Sequence, residues 1–314
     1  MSLAIVFPGQ GSQSVGMLKD FYANYPQVKD AFNKVTEVLG YDLWKIIASG
    51  EADELNRTEI TQPAMLMAGY VSWLVWQENN GPVPHYMAGH SLGEYTALVC
   101  AGALRIEDAV ALVAERGRLM QLAVPEGAGA MAAILGLDDE RVIQACKEAA
   151  QGEVVEAVNF NSPGQVVIAG QKTAVQRAID LLKETGAKRA LLLPVSVPSH
   201  CQLMRGAADL LAEKLATIEI TSPGIPVIHN VDVTTHADAD EIREVLQQQL
   251  YNPVRWVETV EALSAKGVTH VVECGPGKVL IGLCKRIDKT MTGLAVFDSD
   301  SVSAALAQWQ ESGS

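Results

Sequence analysis

Tyr86-Met87-Ala88-Gly89-His90-Ser91-Leu92-Gly93 sets a serine at the junction of two predicted elements. The breaker Gly81-Pro82-Val83-Pro84 precedes it, Tyr86–Gly89 reads as a brief apolar strand, and Gly93–Ala101 reads as a helix. Gly89-His90-Ser91-Leu92-Gly93 thus fits G-x-S-x-G in a strand–turn–helix context. A serine at so sharp a turn has strained backbone angles, and side chains two positions either side of it would clash; glycine removes the clash and leaves Oγ exposed. The N–H of Leu92, opening the helix, can face a developing oxyanion. A chance match in a Gly-rich chain is the plain alternative, which the flanking elements weaken. The motif supports acyl transfer or hydrolysis without separating them.

Outward from this turn the chain alternates strands and helices. Leu3–Phe7 reads as a buried strand ending in the tight loop Pro8-Gly9-Gln10-Gly11, and helical periodicity follows in pieces to about Gln77. Glu107–Leu122 is predicted as a helix. From Gly127 to about Val195 the pattern changes to strand Ala130–Leu135, helix Glu140–Ala150, strands Val154–Asn159 and Val166–Ala169 about the turn Asn161-Ser162-Pro163-Gly164, helix Thr173–Glu184 and strand Ala190–Leu193. This β-α-β-β-α-β order is the ferredoxin-like arrangement, read as an inserted subdomain. The chain then returns through helix Met204–Ala216, strand Pro226–Asn230, helices Asp240–Gln249 and Val254–Ala265, strand Thr269–Glu273 and a final helical segment, with Ser312-Gly313-Ser314 as a loose tail. Such alternation implies a mainly parallel sheet covered on both faces.

A serine nucleophile needs a base within hydrogen-bond reach. Of the six histidines, His90 adjoins Ser91 and should be directed away from its Oγ. His85 and His236 lie in polar loops, and His270 starts a strand. His229 ends a strand and stays a candidate. His200 follows the rigid connection Pro194-Val195-Ser196-Val197-Pro198-Ser199 that leaves the subdomain, where a cleft is expected, and is favoured over His229. A capping or core histidine is the bland alternative for either. No acidic partner for His200 is evident.

Arg116 shares the apolar stripe of Ala109, Leu112, Val113, Leu119 and Met120, whereas Glu115 and Arg118 fall on the polar side. A guanidinium facing the interior is costly unless paired. Two readings stay open: a structural ion pair with an internal acid, or a pocket for a substrate carboxylate, which the planar fork of Arg suits.

Composition bounds the rest. With 24 basic and 37 acidic residues among 314, the net charge of −13 argues against non-specific nucleic-acid binding. No apolar run approaches the roughly 20 residues needed to cross a bilayer. The N-terminus carries no signal-peptide pattern. Five dispersed cysteines without CxxC pairs fit a reducing compartment and no zinc site. Gly9-Gln10-Gly11 is followed next by Gly16, and Val272 stands five before Gly277-Lys278, so neither nucleotide-loop pattern is met. Gln10 can still offer its N–H as a second oxyanion donor.

The whole chain resembles the malonyl-CoA:acyl carrier protein transacylases of fatty acid synthesis. The resemblance rests on Phe7-Pro8-Gly9-Gln10-Gly11-Ser12-Gln13, Thr61-Gln62-Pro63-Ala64, Gly89-His90-Ser91-Leu92-Gly93-Glu94, Asn161-Ser162-Pro163-Gly164-Gln165, Pro198-Ser199-His200, Asn252-Pro253-Val254 and Gly275-Pro276-Gly277-Lys278. It implies an α/β-hydrolase-like core, residues 1–126 and 196–314, around a ferredoxin-like subdomain at 127–195. It implies Ser91 as nucleophile, His200 as base, the N–H groups of Gln10 and Leu92 as oxyanion hole, Arg116 as partner of the malonyl carboxylate, and the backbone carbonyl of Gln249 as the group orienting the base. Ser199 is small where some related acyltransferase domains carry Phe. The implied activity is ping-pong transfer of malonyl from malonyl-CoA to the phosphopantetheine thiol of acyl carrier protein. No metal or cofactor is expected, CoA thioester being a substrate. The expected partners are malonyl-CoA and acyl carrier protein, with no nucleic acid and no membrane, for a cytoplasmic monomer. Lys188, Arg189, Lys285 and Arg286 are candidates for docking the acidic carrier, against the plain reading of ordinary solvated cations. A serine esterase or thioesterase on the same scaffold is the rival reading, and a non-catalytic carrier-binding module the other.

Overall fold

A computed structural model of the chain describes residues 1–195 and 197–312, so the boundary expected at residue 196 and the tail expected at Gly313 and Ser314 lie outside the described residues. The chain opens with β1 (Leu3–Phe7), then α1 (Lys19–Asn24), α2 (Pro26–Leu39), α3 (Leu43–Ser49), α4 (Ala52–Leu55) and α5 (Thr58–Glu78). Strand β2 (Tyr86–Gly89) leads through Ser91 into α6 (Leu92–Cys100) and α7 (Ile106–Ala123). The middle of the chain holds β3 (Gly129–Leu135), α8 (Asp139–Ala150), β4 (Val155–Ser162), β5 (Gln165–Gln171), α9 (Lys172–Glu184) and β6 (Arg189–Leu192). The remainder is α10 (Arg205–Leu215), β7 (Val227–Ile228), α11 (Ala239–Gln248), α12 (Trp256–Ala265), β8 (His270–Cys274), α13 (Val279–Ile287), β9 (Thr292–Val296) and α14 (Ser299–Ser312).

Two sheets organise these elements. The first is wholly parallel, in the order β7-β2-β1-β8-β9. Every residue of β1 and of β8 is buried, as expected of central strands covered on both faces. The second is antiparallel, in the order β4-β5-β3-β6, and has its own core in which Ile134, Ile168, Val142 and Ile179 pack together. The helices on it are strongly amphipathic: Ala174, Val175, Ala178, Ile179 and Leu182 make one buried face of α9.

The two sheets are fastened near the serine turn. Segment Asn252–Val254 runs beside the edge strand β4, with Val254 N–H donating to Val158 and Phe160 N–H donating to Val254. This pairing delays the start of α12 to Trp256, two residues after the sequence pattern suggested. Three further differences have physical causes. The expected strand Pro226–Asn230 shortens to Val227–Ile228, because His229 and Asn230 leave the ladder to bind the Glu94 carboxylate. The expected final helical segment contains the edge strand β9, which pairs with β8 and whose alternating burial gives only a weak apolar signal. Ser312 closes α14 rather than beginning a tail.

Candidate active site

Ser91 stands at φ 51° and ψ −108°, a conformation L residues rarely adopt. The two glycines make the turn feasible. A Cβ on Gly89 would fall 1.8 Å from the carbonyl carbon of Gly93, and one on Gly93 would fall 2.0 Å from the carbonyl oxygen of Phe7. Strand β2, the turn and α6 are therefore packed closer than any side chain allows, and α6 is pressed onto the end of β1. Leu92 opens α6, so its N–H has no intrahelical acceptor and stays available at the turn. Gln10 lies exposed in the loop after β1, the neighbouring strand of the sheet.

His200 is the histidine that reaches Ser91. Its Nε2 lies 2.7 Å from Ser91 Oγ, and its Nδ1 lies 2.7 Å from the carbonyl oxygen of Gln249. Its backbone is also in the left-handed region, φ 65°, and its N–H donates to Leu250. His229, the other candidate, is fully buried with Nδ1 at 2.8 Å from Glu94 Oε1. His90 turns to Asn161 Oδ1 at 2.8 Å and thus away from Ser91 Oγ. Burial and the nearby Arg116 charge push the His200 pKa down to about 3, so the ring is neutral and can accept a proton.

Arg116 is 1% exposed, its charge within the apolar face of α7 as the stripe suggested. Nη1 donates to Gln62 Oε1 at 2.8 Å, and Nη2 donates to Gln249 Oε1 at 2.9 Å and to Ser91 Oγ at 3.3 Å. Its guanidinium carbon lies 5.3 Å from the ring centre of Tyr95, within cation–π range. Among the described residues no ion pair engages it, and its Nε has no acceptor. Burial lowers its pKa. The structural ion pair, one of the two readings of this residue, is thus absent; a buried cation is held by neutral groups beside the serine hydroxyl.

Three residues of the site escaped the sequence reading as individuals. Asn230 accepts from Ser91 N–H at 2.8 Å and donates Nδ2 to the Gly89 carbonyl at 2.7 Å, bridging the turn. Glu94, fully buried, accepts from Asn230 N–H and from Gln249 Nε2. Gln62 is buried in the N-terminal part of α5. The signal available was a polar side chain inside an otherwise apolar helix, as with Glu94 among Leu92–Cys100 and Gln62 before Pro63. Among the described residues no group of three or more His, Cys, Asp or Glu side chains could hold a metal ion.

Known proteins resemble this chain along nearly its whole length. The family described as "Acyl transferase domain" matches residues 4–299. The malonyl CoA-acyl carrier protein transacylase of Salmonella typhimurium is 58% identical, over 97% of this chain and 99% of its own. The crystal structure of an acyl carrier protein S-malonyltransferase from Vibrio cholerae has a TM-score of 0.95 at 59% identity, covering 97% of this chain and 99% of that one. A malonyl-transacylase solved in complex with a type II PKS acyl-carrier protein has a TM-score of 0.97 at 56% identity, covering 98% and 100%. With likeness of this degree from end to end, the chain belongs to the acyl transferase domain family and, within it, to the malonyl CoA-acyl carrier protein transacylases.

Proposed function

We propose that this acyltransferase moves a malonyl group from malonyl-CoA to the phosphopantetheine thiol of acyl carrier protein through an ester on Ser91. The observation that carries the reading is Arg116: a buried guanidinium without an acidic partner, 3.3 Å from the nucleophile. It lacks one thing, a carboxylate, and a malonyl group brings one on the carbon next to the reacting carbonyl. Ser91 Oγ attacks the thioester carbonyl carbon while His200 Nε2 takes the hydroxyl proton. The negative charge on the tetrahedral oxygen faces the N–H groups of Leu92 and Gln10. As the C–S bond breaks, the imidazolium returns the proton to sulfur and CoA leaves as a thiol. In the second half the phosphopantetheine thiol gives its proton to His200 and attacks the ester. The C–O bond breaks, and Ser91 recovers its proton. No cofactor takes part, and CoA enters as substrate. A plain esterase or thioesterase would have no use for the unpaired guanidinium.

The two sheets are read as an α/β-hydrolase-like core with a ferredoxin-like insertion at 127–195. The insertion's β-α-β-β-α-β sequence and β4-β5-β3-β6 order support this. The carrier is proposed to dock where the two meet. Arg189 pairs with Leu135 in the sheet, Leu135 pairs on its other side with Gln165, and Gln165 accepts from Arg286 of α13 at 2.6 Å. Lys188 donates its N–H to Leu135, which brings exposed Lys188, Arg189 and Arg286 toward one rim; exposed Lys285 precedes Arg286 on α13, and Asn161 Oδ1, at the end of β4, contacts His90 Nε2. The enzyme is placed in the cytoplasm, whose reducing conditions suit its five free cysteines; among the described residues no helix is long and apolar enough to cross a membrane.

Initial rates measured over a grid of malonyl-CoA and carrier concentrations test the mechanism. Parallel double-reciprocal lines are expected from a covalent intermediate; lines that intersect would show direct transfer in a ternary complex.

A further inference from the structure

The two peptide groups flanking Ser91 are held by side chains that converge on one buried acid. Glu94 lies in the first turn of α6 with no exposed surface. Its Oε1 is 2.8 Å from His229 Nδ1, while Oε2 accepts from Asn230 N–H at 2.9 Å and from Gln249 Nε2 at 2.8 Å. Each of the last two passes the contact on. Asn230 holds Ser91 N–H and the Gly89 carbonyl. Gln249 donates Nε2 to the Ser91 carbonyl at 3.0 Å and accepts from Arg116 through Oε1.

The chemistry of a primary amide makes this chain directional. Its nitrogen end only donates and its oxygen end only accepts. Glu94 Oε2 and the Ser91 carbonyl take the two hydrogens of Gln249 Nε2, so the amide oxygen must face the guanidinium. Reversed, the amide would set NH2 against Arg116, donor against donor. The Ser91 carbonyl favours the same orientation, yet a charged acceptor binds roughly twice as strongly as a neutral one. Glu94 also supplies a negative charge near Arg116, with which it forms no direct ion pair among the described residues.

We propose that Glu94 is a positioning residue for acyl selection: acting through the side-chain amide of Gln249, it fixes how Arg116 is presented beside Ser91. This rests on the acyl-transfer reading above. Glu94→Gln keeps the shape, removes the charge that grips Asn230 N–H and Gln249 Nε2, and turns one end of the side chain into a donor, set either against His229 Nδ1 or against those two donors. The measurement is kcat/KM for malonyl-CoA and for acetyl-CoA at fixed acyl carrier protein, with Tm determined in parallel. The ratio of the two reports Arg116 presentation, whereas a loss of fold alone lowers both together.

The malonyl-over-acetyl ratio is expected to fall by about tenfold or more in Glu94→Gln. In a Gln249→Leu background, which retains the backbone carbonyl used by His200, Glu94→Gln is expected to change the ratio no further. An unchanged ratio in folded Glu94→Gln, or losses that multiply in the double variant, overturns the proposal. If Glu94→Gln does not fold, the ratio is read in Glu94→Asp, whose shortened carboxylate cannot reach all three donors; a fall supports the proposal and wild-type selectivity overturns it. A wild-type enzyme with no preference for malonyl would instead remove the acyl-transfer reading, and this inference with it.

Discussion

His200 Nδ1 lies 2.7 Å from the carbonyl oxygen of Gln249, and that oxygen can only accept. The hydrogen of the neutral ring therefore belongs on Nδ1, leaving Nε2 unprotonated toward Ser91 Oγ at 2.7 Å. A backbone carbonyl thus performs the orienting task that a carboxylate performs in other serine catalysts. It does so without setting a negative charge against the ring.

The pH dependence follows from this environment. Burial first, and Arg116 second, hold the folded-state pKa of His200 near 3, below the ordinary 6.5. For kcat/KM with malonyl-CoA, no inflection from the base is expected near pH 6.5; a fall centred there would show an unperturbed histidine. Stability has the matching sign. The unfolded ring gains a proton below 6.5 while the folded ring does not, so this group's contribution is complete above 6.5 and is lost as pH falls toward 3. Denaturant titrations across that window should show the decline, and His200→Gln should remove its share of it.

Arg116→Ala should lower kcat/KM for malonyl-CoA on the order of 10²-fold or more, while acetyl-CoA, which offers no carboxylate, changes far less. Equal losses for both substrates would mean that the guanidinium serves the fold and not the acyl group.

The closeness of the turn to β1 predicts the effect of one methyl group. Gly93→Ala places a carbon 2.0 Å from the Phe7 carbonyl oxygen, which belongs to backbone and cannot swing aside. A loss of about 1–3 kcal/mol or more is expected, read as a lower Tm with transfer activity reduced as the turn shifts. An Ala variant with wild-type Tm and rate would contradict the packing described.

Charge reversal at the rim of the antiparallel sheet should separate carrier from CoA. Arg189→Glu and Arg286→Glu are expected to raise KM for acyl carrier protein several-fold, most strongly at low salt, and to change loading of Ser91 by malonyl-CoA less. Unchanged carrier KM in both variants would place docking elsewhere.

Much of this architecture was legible from the order of residues. Central strands such as Leu3–Phe7 appear as unbroken apolar runs because both faces are covered, and the antiparallel sheet in the middle of the chain shows itself in a change of period and in the turn at Asn161–Gly164. The serine turn could be read because its glycines answer a local steric demand. Arg116 could be found because a cation on an apolar stripe is costly wherever it lies. Edge strand β9 and the roles of Asn230 and Glu94 were not legible in the same way. Strand β9 carries little apolar signal, and the two polar residues act through partners more than a hundred positions away in the chain. The choice between His200 and His229 was legible in part: the two-proline connection favoured His200, and the folded chain shows that of these two buried histidines it is the one facing Ser91.

The most direct test is intact-protein mass spectrometry after mixing the enzyme with malonyl-CoA, followed by peptide mapping. A single malonyl adduct on Ser91 is expected, discharged by holo acyl carrier protein and absent in Ser91→Ala. No adduct on the wild-type chain, or one that maps to another residue, would contradict the account.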